Sequence, residues 1–178
     1  MTLERLTALD GEAILPLTDA KLHLKVDADT DDTLIRALRD EALSHVEEMS
    51  GWALAEGSFR WTARRFADRI ELPIRPVKEI TLVSYLDASG VAQVYSDARV
   101  VDGALWPAEG GVWPYASGHA SIEFTAGPPP ADKLVGLLVA AMIRLEVLYD
   151  RGGTPVEVMR ARENVVQSII DRNRAWLV

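Results

Sequence analysis

The chain has 178 residues, of which 48% are hydrophobic and 26% charged, a balance that supports one packed globular core of ordinary size. Its net charge is −8 and it has no cysteine, which excludes a disulfide framework and any thiolate metal site or thiol nucleophile. Residues 1–50 carry 5 basic against 12 acidic side chains, and only residues 151–178 are basic, 5 against 3. That distribution argues against tight general nucleic-acid binding, which relies on lysine and arginine releasing counterions from phosphate. The N-terminus MTLERLTALDGEAI lacks the basic-then-apolar layout of a secretory signal, and a reducing cytoplasm is the expected place of synthesis. The longest apolar run, Leu134 to Ile143, is too short to span a bilayer, so no membrane segment is expected.

The first element in chain order is a short helix in PLTDAKLHLKV, with Thr18 as its cap and Leu17 and Leu22 as a hydrophobic staple. Four acids follow, Asp27, Asp29, Asp31 and Asp32. A calcium loop starting at Asp27 would need glycine at its sixth position and glutamate at its twelfth, where this chain has Asp32 and Leu38. The acids are read instead as a helix start, with Asp29 or Thr30 as N-cap and Asp31 and Asp32 in the first turn near the positive end of the helix dipole. Ile35, Leu38, Ala42, Val46 and Met49 then form an apolar stripe, opposite a polar face of Arg36, Arg39, Asp40, Ser44, Glu47 and Glu48. Gly51 is placed to end this helix as a left-handed cap.

The middle of the chain alternates with period two. Phe59, Trp61 and Ala63 face one way, Ile80, Leu82 and Ser84 form a second set, and Asp87–Gly90 makes a turn into Val91–Tyr95. Pro73 and Pro76 interrupt the ladder, and another strand is expected at Ser121–Thr125. Between these, Asp102–His119 reads as a long surface loop holding a short strand. After Pro128–Pro130 an apolar helix runs from Asp132 to Tyr149, with Leu134, Leu137, Leu138, Ala141, Leu145 and Leu148 as its strongest stripe. A last helix from about Val156 to Arg174 carries Met159, Val166, Ile169 and Ile170. The fold class expected is α+β: a mainly helical body of about four helices (15–52 and 130–175), with an antiparallel β-rich insertion (56–126) between the second and third main helices, all in one domain of residues 1–178.

No pattern of catalytic residues emerges. His23, His45 and His119 form no metal-binding spacing, there is no GxSxG elbow, and Gly110-Gly111 and Gly152-Gly153 lack the GK[ST] of a phosphate loop. No catalytic, cofactor-binding or metal-binding residue is assigned. Arg64-Arg65 and Arg160, Arg162, Arg172 and Arg174 either contact phosphate or form a solvated face, with local ion pairs to Glu157, Glu163 and Asp171. Weight therefore shifts to interaction. Trp106, Trp113 and Tyr115 in the long loop are candidate anchors for a partner, or fold back on their own core, and the chain stops on the apolar Trp176-Leu177-Val178.

Three blocks in order, LTDAKLHLKVDADTDDTLIRAL running into HVEEMSGWAL, then ELPIRPVKEITLVSYLDASG, then IEFTAG ahead of EVLYDRGG, resemble the head-tail connector (adaptor) proteins of tailed phages, prophages and gene transfer agents. The resemblance spans Leu15 to Gly153. Trp52 follows the exit glycine where relatives often have a basic residue. The resemblance implies a structural subunit without a reaction or cofactor. Such subunits form a ring, usually of twelve copies, under the portal protein, in the particle and in the bacterial cytoplasm during assembly. The ring leaves a channel for DNA without binding it specifically and carries stopper or tail proteins. The resemblance also implies that the C-terminal segment, here Arg172, Arg174, Trp176, Leu177 and Val178, reaches into the portal. The acidic N-terminal half then suits a channel wall that repels phosphate. Two readings from other classes compete with this one: a small carboxylate-dependent glycan hydrolase, and a module that grips a host protein through the aromatic loop.

Overall fold

The computed structural model describes residues 1–101, 103–150 and 152–175. The fold is α+β. The chain forms two compact units, one of Met1–Ala8 with Glu56–Pro128, the other of Leu9–Ala55 with residues 129–175. Among the described residues no helix is long and apolar enough to cross a membrane.

The first unit is built of antiparallel strands: β1 (Thr2–Arg5), β2 (Gly57–Ala63), β3 (Ile70–Glu71), β4 (Val77–Leu86), β5 (Ala92–Val94), β6 (Arg99–Val101), β7 (Ala104–Trp106) and β8 (Ala120–Ala126). They make a five-stranded sheet in the order β1-β2-β8-β4-β5 and a three-stranded sheet β3-β7-β6. The alternation read in β2 holds: Phe59, Trp61 and Ala63 are buried while Ser58, Arg60 and Thr62 are half-exposed. In register with them, Phe124 and Ile122 of β8 lie opposite Phe59 and Trp61, and the rings of Phe59 and Phe124 stack at 5.6 Å. The outer face of the same pairing carries the Arg60–Glu123 ion pair at 2.8 Å.

β4 departs from the expected alternation. Its register on β8 shifts between Val77 and Glu79 and again between Ile80 and Leu82. A bulge inserts one residue and turns the following side chains to the other face. Ile80 therefore sits opposite buried Phe124, Leu82 opposite half-exposed Glu123, and Val83, at 2% exposure, is the residue that reaches the core. The turn at Asp87 forms as read, with Gly90 at φ +77° and its N–H donating to the Asp87 carbonyl oxygen.

The second unit contains α1 (Gly11–Ile14), α2 (Leu17–Leu24), a 3₁₀ turn (Asp29–Asp31), α3 (Asp32–Ser50), α4 (Ala131–Tyr149) and α5 (Val156–Asn173). Ile35, Ala42, Leu43 and Val46 of α3 pack with Leu137, Ala140, Ala141 and Leu145 of α4 and Val166, Ile169 and Ile170 of α5. α3 ends at Gly51, φ +73°, whose N–H donates to the Glu47 carbonyl oxygen.

Three local expectations fail here for identifiable reasons. α2 starts after Pro16, so Thr18 lies inside the helix. The Glu12 carboxylate instead accepts from the Leu17 N–H at 3.2 Å, and Leu22 is 79% exposed, so no staple forms. The polar face assigned to α3 is partly buried: Arg39 is 4% exposed and Glu47 6%. Arg39 donates to Glu12, to Asp40 at 2.9 Å and to the Leu15 carbonyl oxygen at 3.2 Å, while Glu47 accepts from the Leu54 N–H at 2.9 Å. Charges and polar groups enter a core when partners replace water, and these do.

The acids before α3 also act differently from a helix cap. Asp31 stands at the N-cap without a side-chain cap bond and accepts instead from the Tyr149 hydroxyl at 2.7 Å. Lys21 Nζ donates to Asp29 at 2.6 Å and to Asp32 at 2.8 Å. The two carboxylates, Asp29 first, hold the lysine above its usual pKa, and Lys21 holds Asp29 below its own.

Candidate interaction surfaces

In the β unit, the strand end at Ala63, the strand end at Trp106 and the segment 111–118 surround an open concavity of about 700 Å³. Its floor is aromatic. The Trp113 ring stacks on Phe66 at 4.8 Å and tilts against Tyr95 at 5.3 Å, and Phe66 meets Tyr85 edge-on at 5.9 Å. Trp113 Nε1 donates to the Asp68 carbonyl oxygen at 3.3 Å, and the Tyr95 hydroxyl accepts from the Ala108 N–H at 3.1 Å, which pins the loop to the sheet.

The three loop aromatics thus divide. Trp113 folds back onto its own unit, whereas Tyr115 is 73% exposed and Trp106, at the end of β7, is 36% exposed. Arg64 and Arg65 on the rim are exposed and have no ion-pair partner among the described residues. Among the described residues Asp68 is the one carboxylate in the lining, and no histidine lines it. Aromatic faces and guanidinium groups suit contact with another macromolecule, by stacking and charge-assisted hydrogen bonds. Trp113→Ala should destabilise the β unit by about 2 kcal/mol through lost ring packing, while Tyr115→Ala should change its stability by less than about 0.5 kcal/mol. Thermal unfolding followed by circular dichroism distinguishes the two.

In the helical unit, the end of α5 is anchored on its inner side. The Asn173 carbonyl oxygen accepts from Trp52 Nε1, and the Ala175 N–H donates to the Ser50 carbonyl oxygen at 2.8 Å. Arg172 is exposed, and Arg174 pairs with Asp171 at 3.4 Å. Trp176, Leu177 and Val178 lie outside the described residues. Of the local ion pairs expected on α5, that to Asp171 forms. Arg162 instead reaches Glu146 at 3.5 Å, and Glu163 is met by Arg144 at 3.9 Å. Both partners sit on α4, so helix packing and not sequence spacing selected them.

The helical unit also exposes apolar side chains, among them Leu22, for which the sequence predicts a place in a hydrophobic staple. Leu22 on α2, and Val135 and Val139 on α4, are 79%, 63% and 37% exposed. A usable signal was present in α4, which is apolar on more faces than one packed neighbour can cover.

No protein-family model matches the chain, and no curated protein sequence does. Solved structures do match along its whole length. A chain in the neck of an empty gene transfer agent (GTA) particle, computed with C6 symmetry, superposes with a TM-score of 0.72 at 25% identity, covering 100% of this chain and 97% of that one. A chain in the virion of the native particle gives the same values. A chain in the neck of the native particle, computed with C12 symmetry, gives a TM-score of 0.70 at 26% identity with the same coverage. From end to end, then, this chain has the fold of a protein found in the necks of gene transfer agent particles.

Proposed function

We propose that this chain is a head-tail connector (adaptor) subunit, a structural piece that assembles as a ring beneath a portal protein and carries stopper or tail proteins below. The observation that carries this reading is the full-length match, 100% of this chain against 97% of a neck chain. A partial match would have left room for an unrelated role in the remainder. Neck particles computed with C6 and C12 symmetry support a ring of twelve, since a twelvefold ring also obeys sixfold symmetry. The subunit transforms no molecule, and its surfaces mate with neighbours.

In this reading the end of α5 and the residues beyond it, with Arg172, Arg174, Trp176, Leu177 and Val178, contact the portal. Trp106 and Tyr115 are offered to the protein below, and Trp113 holds the loop that presents Tyr115. DNA passes through the ring without being gripped, because an acidic wall repels phosphate. Particle necks are its site of action, and bacterial cytoplasm its site of assembly.

Native mass spectrometry of the full chain mixed with its portal protein tests the proposal. The expected result is a complex holding multiple copies of this chain per portal ring. Absence of any portal complex across a range of salt and protein concentrations would sink it.

A further inference from the structure

The aromatic concavity of the β unit is uneven in its hydrogen-bonding groups. Trp113 Nε1 is already taken by the Asp68 carbonyl oxygen at 3.3 Å, but Trp106 Nε1, the Tyr115 hydroxyl and the guanidinium groups of Arg64 and Arg65 make no hydrogen bond or ion pair among the described residues. All of these donate, and the indole and guanidinium groups cannot accept. Against them stands a single free carboxylate among the described residues of the lining, that of exposed Asp68. Val112, Tyr115 and Trp106, at 85%, 73% and 36% exposure, add apolar surface around the stacked rings of Trp113 and Phe66.

The charges of the lining do not cancel. Arg64 and Arg65 against Asp68 leave one positive charge, in a chain whose net charge is −8. On the adjoining segments Arg69 pairs with Glu71 at 3.3 Å and Arg99 with Glu109 at 3.6 Å, while Asp97 and His119 do not line the concavity. The match is therefore to one carboxylate among apolar groups, and not to an acidic run.

We propose that this concavity receives an extended, proline-containing segment of the protein below the ring, with one carboxylate facing Arg64 and Arg65. The inference rests on the reading of the chain as a connector subunit and names the chemistry of the partner that Trp106 and Tyr115 meet. Proline has a carbonyl oxygen and no N–H, so a proline segment offers acceptors to a site rich in donors and leaves few donors of its own unpaired. In the polyproline conformation its backbone is extended in advance and docks on aromatic-lined surfaces. A helix would present side chains only, because its carbonyl groups are bonded internally. A strand would bring an N–H for every carbonyl, and of the free side chains here only Asp68 and Tyr115 accept. This chain's own proline run, Pro128–Pro130, does not fit the description as a segment of a second copy: Pro129 is buried, and Asp132 and Lys133 just after the run cancel.

Three acetylated and amidated pentapeptides, PPEPP, PPKPP and AAEAA, are titrated into the full chain, and binding is followed by the indole N–H resonances of its five tryptophans. The expected result is that PPEPP moves the Trp106 resonance and leaves in place that of Trp52, which donates to Asn173 in the helical unit. PPKPP, which lacks the carboxylate, and AAEAA, which lacks the preset extension, should each bind about tenfold more weakly. Tyr115→Ala should weaken PPEPP by about tenfold as well. Arg64→Glu with Arg65→Glu should reverse the order of PPEPP and PPKPP, an outcome that unfolding does not produce. No shift at Trp106, or equal binding of the three peptides, would overturn the proposal. Broadening of the Trp106 resonance with protein concentration alone would assign the concavity to a second copy and overturn it likewise. Peptide binding without any portal complex sinks the connector reading and keeps the ligand chemistry, and a portal complex without peptide binding does the reverse.

Discussion

Arg39→Ala should lower the stability of the helical unit by about 2–4 kcal/mol, the largest effect expected of any single charged side chain in this protein. Arg39 lies on α3 at 4% exposure and joins three elements at once: Glu12 of α1, the Leu15 carbonyl oxygen at 3.2 Å and Asp40 at 2.9 Å. Gly11 packs directly on it, since a Cβ there would be 2.9 Å from the guanidinium. Truncation therefore leaves a cavity and an unpaired carbonyl group. It does not strand buried acids, because Glu12 and Asp40 remain 59% and 48% exposed. That is why the expected loss stays below that of a fully buried ion pair.

The same variant should alter acid sensitivity. The hydrogen bond from Arg39, and then that from the Leu17 N–H, hold the Glu12 carboxyl below its usual pKa. A carboxyl depressed in the folded state contributes stability above its unfolded pKa and loses it as pH falls through the folded value. Wild-type protein should therefore lose this contribution below the ordinary glutamate range, while Arg39→Ala should lose less between neutral pH and pH of about 3. Urea unfolding at a series of pH values measures both effects, and parallel curves for the two proteins would refute the assigned coupling.

Removing residues 176–178 should leave the fold unchanged and weaken portal attachment by about 30-fold or more, the loss expected when a tryptophan anchor of about 2 kcal/mol is deleted. The cut is placed after Ala175 because the Ala175 N–H donates to Ser50, and the Asn173 carbonyl oxygen accepts from Trp52. Both bonds survive the truncation, so a change in binding is not a change in folding. Thermal unfolding and portal titration are measured on the same preparation. Undiminished attachment would remove the tail from the portal contact and leave the connector reading to rest on the shared fold.

Much of this architecture was legible from local pattern. The apolar stripe of α3, the alternation of β2, the turn at Asp87–Gly90 and the helix α4 follow from side-chain spacing and turn chemistry within a few residues. β1 escaped notice because its four residues are too few to show a period, and pairing with β2 is what makes them a strand. The same limit applied to the interaction surfaces. Trp106, Trp113 and Tyr115 read as one group, yet Trp113 stacks on Phe66, 47 positions earlier in the chain, and only its neighbours stay exposed.

By itself the sequence determined where the long helices and the longer strands form, and that no thiol chemistry is available. Periodicity is a property of backbone geometry and acts over a few residues. Tertiary structure alone decided that Arg39 and Glu47 are buried, that Lys21 takes up Asp29 and Asp32, that a bulge carries Val83 inward, and that Leu22 points to solvent. Each of those outcomes depends on which distant group arrives to replace water, and that is settled only when the elements pack.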